Sequence, residues 1–326
     1  MSNKAVQAGT ERPAGGPGET LRRVTSPDGV GLAVREWGDP ASPTVVLVHG
    51  YPDTGAVWRQ VAERLAGRFH VVVPDVRGSG DSDVPRRTRD YALDRLEGDL
   101  AAVLDAVSPD APVHLAGHDW GSIQSWEAVT GTRLRGRIAS FTSVSGPCLD
   151  HVGHWMRDRL SRPTPRHLLQ LADQLAHSGY IAFFHLPLLP ALVWRGVLAR
   201  TWGRLLELTE GAGKTPGHPA PTLADDAVHG VRLYRANMGS RLARPGRRTT
   251  DVPVQVVTPT RDLYVRPMLT DGLERWAPRL RRRPLRAGHW APLTHAAVLA
   301  DWIGGFAEEV QAAGEPGSTE EPGRAG

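Results

Sequence analysis

The chain has 326 residues, 40% of them apolar, with one cysteine, Cys148. That length allows one large domain, or a core with a smaller insertion, and a lone cysteine excludes an intramolecular disulfide framework. The formal charge of +4 rests on arginine, because lysine occurs only at Lys4 and Lys214; the arginine-rich stretches 241–248 and 279–286 have no helix-turn-helix, zinc or RNA-binding signature beside them. They read as solvated surface, with no nucleic-acid partner.

The first twenty residues hold almost no large apolar group and no signal-peptide core, and residues 312–326 repeat that composition; both predict disordered tails. Residues 21–24 and 30–37 flank Ser26-Pro27-Asp28-Gly29, the mark of a hairpin. A third strand at 45–48 runs into His49-Gly50-Tyr51-Pro52, and a helix follows at 56–65. The strand at 69–73 leads into Asp75–Ser82, and Leu93, Leu96, Leu100, Val103, Leu104 and Val107 recur at helical spacing. A strand beginning at Val113 ends in Gly117-His118-Asp119-Trp120-Gly121 before helical residues from Ile123, and 138–144 is a sixth strand.

From about 150 to 245 the strand rhythm stops, and helices alternate with proline-rich loops. The most apolar window, 181–194, is broken by His185, Pro187 and Pro190 and falls short of the ~20 residues a membrane span needs. The setting expected is cytoplasmic, with no membrane partner. Alternation resumes with a strand at 252–257, a helix at 269–276, a strand near Leu285, and a helix carrying Leu299, Trp302, Ile303, Phe306 and Val310. Strands separated by helices predict an α/β protein: a mostly parallel, eight-stranded sheet covered on both faces. Its core comprises 21–149 and 246–311, with a helical cap, 150–245, inserted between them.

In open α/β sheets the reactive groups gather at the carboxyl ends of strands. Three such ends present Asp119, Asp262 and His289, in the chain order nucleophile, acid, histidine. Glycines on both sides of Asp119 suit a sharp strand-to-helix turn, where serine is the usual nucleophile. A serine attacking saturated carbon would leave an ether that water cannot readily cleave. A carboxylate leaves an ester whose carbonyl belongs to the enzyme, so water activated by His289 can attack it and restore Asp119. Asp262 would orient the imidazole and stabilise its charged form. The aspartate therefore points to substrates opened at an alkyl carbon, such as epoxides or alkyl halides. No cluster has metal-ligand spacing and no glycine loop has a dinucleotide or phosphate-binding form, so no cofactor and no metal are expected.

HGYP (His49–Pro52), DVRGSGDS (Asp75–Ser82), GHDWGS (Gly117–Ser122), TPTRD (Thr258–Asp262) and GHW (Gly288–Trp290) resemble, in order, the motifs of the α/β-hydrolase-fold epoxide hydrolases. Parts of the chain are also similar to the hydrolase half of bacterial proteins fused to a short-chain dehydrogenase. The chain stops after that half, so no dehydrogenase activity is expected. The resemblance implies an oxyanion hole formed by the backbone N–H groups of Tyr51 and Trp120, a cis bond before Pro52, and ring-opening tyrosines at Tyr180 and Tyr234 in the cap. Haloalkane dehalogenases usually carry Asn or Glu after His-Gly, where Tyr51 stands here, and His185 departs from an expected glutamine. Arg77 reads as structural, His118 as a packed histidine, and Asp150 as a lesser candidate for the acid. The activity implied is hydrolysis of a small apolar epoxide to a vicinal diol by a monomer or homodimer. The alternatives are a haloalkane dehalogenase or a non-catalytic binding protein on the same fold.

Overall fold

A computed structural model describes residues 12–13, 18–213 and 215–314. One sheet is built from β1 (Arg12–Pro13), β2 (Thr20–Thr25), β3 (Gly31–Trp37), β4 (Thr44–Val48), β5 (His70–Pro74), β6 (Val113–His118), β7 (Ile138–Val144), β8 (Val254–Pro259) and β9 (Leu280–Leu285). Its order is β1-β2-β3-β5-β4-β6-β7-β8-β9. The hairpin edge from β1 to β5 is antiparallel; from β5 across β4 to β9 every pairing is parallel. The eight strands read from the sequence are present, and the two-residue β1 adds a ninth at the edge. Thr20 already lies in β2 and the last helix runs to Gly314, while most of the two expected tails lies outside the described residues.

Every residue of β4, β5 and β6 is buried. Parallel strands sandwiched between helices need apolar side chains on both faces, which is why they read as continuous rather than alternating runs. The covering helices are α1 (Arg59–Leu65), α2 (Leu93–Val107) and α3 (Trp120–Thr130) from the first half of the chain. Between β7 and β8 come α4 (Leu149–Ser161), α5 (Pro165–His177), α6 (Gly179–His185), α7 (Leu189–Val193), α8 (Ala199–Glu210) and α9 (Leu223–Ala243). A short α10 (Ala291–Thr294) and the long α11 (Ala296–Gly314) close the chain; α11 packs on α1.

One expected helix is absent. Residues 269–276 form two 3₁₀ turns, Pro267–Thr270 and Leu273–Arg275, separated by Gly272 at φ +71°. The apolar spacing of Leu269, Leu273 and Trp276 is real, but a left-handed glycine between them stops a helix from propagating.

The sheet positions the site through the neighbours β4 and β6, where Val48 is in register with Gly117. The order of strand addition switches here, with β5 on one side of β4 and β6 on the other, so the loops after β4 and β6 open a crevice. The bend after β6 is tight. A Cβ on Gly121 would lie 2.1 Å from the Val48 carbonyl oxygen, and one on Gly117 would lie 2.5 Å from that of Gly121. Both neighbours are backbone and cannot swing aside, so Gly121→Ala is expected to destabilise the fold by about 1–3 kcal/mol, the usual cost of overpacking. Urea denaturation checks this, with an unchanged midpoint as the contrary result.

Candidate active site

Asp119 occupies the bend with φ +51° and ψ −121°, a left-handed backbone that a non-glycine residue adopts at a cost of about 1–3 kcal/mol. The surroundings hold it there. Its N–H donates to the Val144 carbonyl at 3.0 Å, and its own carbonyl accepts from Ile123 N–H at 2.9 Å in the first turn of α3. The carboxylate is thereby raised off the sheet toward the β4 loop. There the Tyr51 N–H donates to Asp119 Oδ1 at 2.7 Å. Trp120 opens α3, so its N–H has no intrahelical acceptor and points from the same helix end. The Tyr51–Pro52 peptide is cis.

The second carboxylate oxygen faces a histidine. His289 Nε2 stands 3.6 Å from Asp119 Oδ2, beyond a direct hydrogen bond. The other ring nitrogen, Nδ1, is 2.9 Å from Asp262 Oδ2. Asp262 is fully buried, and its remaining oxygen accepts from Tyr264 N–H at 2.8 Å and Val265 N–H at 2.9 Å. Burial alone would raise the Asp262 pKa. The His289 charge, its hydrogen bond and the two amides outweigh that and hold it below the ordinary value. For His289 burial pulls downward, yet Asp262 and Asp119 together hold the imidazole well above its ordinary value. The two carboxylates on either side of the ring thus favour the charged imidazole.

Asp119, Tyr180 and Tyr234 line one cavity of about 380 Å³, a volume suited to a small-molecule ligand. The two tyrosine rings meet edge-on with centroids 5.9 Å apart, and Tyr234 also meets Trp120 at 4.9 Å. Burial pushes both phenol pKa values upward, so both keep their protons at neutral pH. The rest of the wall is largely apolar and includes Leu149, Trp155, Met156, Leu171 and Met238. Phe183, Phe184, Leu188, Leu189 and Trp194, large apolar residues of the 181–194 window, do not line it. Phe184 and Trp194 are buried in the core, whereas Leu188 and Leu189 are exposed.

The other singled-out residues have different duties. The Arg77 guanidinium is buried against Asp99 and Asp28. His118 is fully buried, bonds the His289 carbonyl through Nε2 at 2.9 Å, and is pulled down to about 4 chiefly by burial. Asp150 accepts from Arg241 and from Gly246 N–H, while Asp262 holds His289. His185 is exposed and lines the cavity; its Nδ1 turns back to the Ile181 carbonyl at 2.8 Å. The Tyr51 ring packs edge-on against Phe184, Trp194 and Tyr234, which makes it a hinge plate between core and cap.

Two neighbours escaped the sequence reading. Tyr264 lines the cavity with its ring 5.0 Å from His289 and 5.6 Å from Tyr180, and burial first of all pushes its phenol up to about 12. Its place two residues after Asp262 was the available signal. Glu210, at the end of α8, accepts from Trp290 N–H at 3.3 Å and fills the space beside Gly288; burial raises its pKa. Nothing in the sequence ties a cap glutamate to that loop. Asp53 completes the link, accepting from Trp290 Nε1 at 2.8 Å while His218 Nε2 lies 2.7 Å from its other oxygen.

The family described as alpha/beta hydrolase fold matches residues 43–180. The chain has the alpha/beta hydrolase fold. It is 41% identical over 295 residues, 88% of its length, to a Mycobacterium tuberculosis protein named "Probable oxidoreductase EphD", of which the match covers 49%. It is 37% identical over 133 residues to "Epoxide hydrolase A" of the same species, covering 40% of each chain. The chain thus spans about half the length, or less, of these relatives. Among solved structures, a variant of an epoxide hydrolase from Bacillus megaterium superposes with a TM-score of 0.73 at 19% identity, over 87% of this chain and 99% of that one. An epoxide hydrolase from Vigna radiata does so with 0.70 at 21% identity, over 91% and 100%.

The Asp119 charge is one of two that raise the His289 pKa, so Asp119→Asn should let the imidazole titrate at lower pH than in the parent protein. NMR of the ring protons checks this. An unchanged titration would mean that Asp262 alone sets the histidine's charge.

Proposed function

We propose that the chain is an epoxide hydrolase that opens an apolar epoxide to a vicinal diol through an ester on Asp119. The observation carrying this reading is a single carboxylate with one oxygen on the Tyr51 N–H, the other facing His289, in a cavity shared with two protonated tyrosines. Asp119 attacks one ring carbon, and the carbon–oxygen bond breaks as Tyr180 or Tyr234 donates its proton to the departing oxygen. A phenol fits this role because an epoxide oxygen leaves as a strongly basic alkoxide.

Esterification cancels the Asp119 charge and the His289 pKa falls, so the proton the imidazolium holds passes to the tyrosinate left by ring opening and restores the phenol. The imidazole takes a proton from water, which attacks the Asp119 carbonyl carbon. The N–H groups of Tyr51 and Trp120 stabilise the resulting oxyanion, a contribution worth about 3 kcal/mol per donor. Collapse expels the diol oxygen, which takes the proton from His289. The acid proton left on Asp119 returns to His289, which restores the starting charges of both groups. Epoxide and one water become one diol, with no cofactor required by the scheme.

Relatives named epoxide hydrolase support this reading, as does the aspartate where ester hydrolases carry serine. A haloalkane dehalogenase fits less well. It needs N–H donors facing a halide, and the residue after His49-Gly50 is a tyrosine whose ring is packed among Phe184, Trp194 and Tyr234.

Asp119→Ala is expected to abolish turnover of epoxides such as styrene oxide. His289→Gln should accumulate the ester, seen in intact-protein mass spectrometry as a gain equal to one substrate. Tyr180→Phe and Tyr234→Phe should each slow ring opening about 100-fold, the usual worth of a positioned acid. Full activity in Asp119→Ala, or no adduct in His289→Gln with turnover preserved, contradicts the mechanism.

A further inference from the structure

Among the described residues thirteen large apolar side chains stand exposed, and eleven of them lie between positions 160 and 208, in the cap. Leu188 is 77% exposed, Leu192 68% and Val197 68%. Helix α5 adds Leu168, Leu169 and Leu175, and has no buried residue of its own. Scattered exposed leucines are ordinary, but such a concentration on one part of a protein marks a contact surface. It borders the cavity described above. Leu175 lines that cavity although it is 73% exposed, and so does the exposed His185. Helix α6 contacts α5, which precedes it in sequence, and α7, which follows it.

Charge says what this face would meet. From α5 through α8 the chain carries Arg166, Arg195, Arg200 and Arg204 against Asp173, Glu207 and Glu210, and residues 174–206 hold no acidic residue. Arg195 is paired with Asp225 at 2.9 Å. Arg200 and Arg204, with Arg162 before α5 and Arg166 in its first turn, are exposed, and none has a carboxylate partner among the described residues. Leucines interleaved with unpaired arginines suit the boundary between lipid headgroups and acyl chains, where the apolar groups sink about 5–10 Å and the guanidinium groups stay among phosphates.

The helices also have the wrong shape to cross. Gly179–His185 and Leu189–Glu210 together are long and apolar enough for a span, but they bend by 105° at their junction, and no single helix among the described residues qualifies. A second copy of the chain fits less well, because a symmetric contact would bring the arginines of this patch against their own images.

We propose that the outer face of the cap, from α5 through α8, docks on a bilayer containing anionic lipid. The sequence reading excluded a membrane partner on the ground that no segment spans, but a surface contact needs no span. Docked this way, the cavity opens at the level where lipophilic epoxides partition. That consequence rests on the activity proposed above; the docking does not.

The test is sedimentation of the full chain with vesicles of phosphatidylcholine, with or without phosphatidylglycerol, alongside turnover of a water-soluble epoxide. Binding is expected to be about tenfold or more tighter with phosphatidylglycerol, and to weaken with salt. Leu188→Glu/Leu192→Glu and Arg200→Glu/Arg204→Glu should each lose that binding about tenfold or more while keeping the parent's turnover. Absent turnover in all three proteins would refute the proposed activity and leave the docking result standing. Failure to pellet with either vesicle, or equal pelleting of the variants, overturns the docking proposal. So does a lipid-free dimer in analytical ultracentrifugation that the same substitutions dissociate, because the face would then belong to a second copy.

Discussion

The site depends on one carboxylate held in an unfavourable backbone conformation. Asp119 keeps φ +51° because β6 ends, α3 begins and the β4 loop closes over it within a few residues. The strain is offset by bonds on every side: Val144 and Ile123 to its backbone, Tyr51 to its side chain. Gly117 and Gly121 are required because backbone occupies the space where their side chains would be. Moving any of these elements would turn the carboxylate away from His289, whose position is fixed independently by Asp262 and by His118.

Core and cap are joined at the same point. The Tyr51 main chain serves Asp119 while its ring packs against cap aromatics and Tyr234. Asp53 ties the β4 loop to Trp290, next to His289, and faces His218 of the cap insertion. Glu210 reaches from α8 to that same loop. A cap built on so many contacts with the reacting groups is part of the site's framework, and its apolar outer surface is a separate property of the same helices.

The fold was legible because its cause is local. Buried parallel strands are continuous apolar runs, and α1 and α2 between them carry clear inner stripes. The lost helix at 269–276 shows the limit: apolar spacing was read correctly, but Gly272 adopts a conformation that spacing does not report. Asp119, Asp262 and His289 could be found because strand ends are where reactive groups collect. The structure brings these three into one chain of contacts, and sets Tyr180 and Tyr234 on the same cavity. Glu210 and Tyr264 were illegible for the opposite reason, since their importance comes from how the cap folds back on a distant loop. Apolar composition says that Phe184 and Trp194 are covered, and the fold shows the Tyr51 ring packed against both.

The central claim is that water attacks Asp119 and never the substrate carbon. A single turnover in oxygen-18 water, with enzyme in excess over an epoxide, separates the two by mass spectrometry of the diol and of the peptide carrying Asp119. The account predicts label in the Asp119 carboxylate and an unlabelled diol. A labelled diol with Asp119 unlabelled would contradict it.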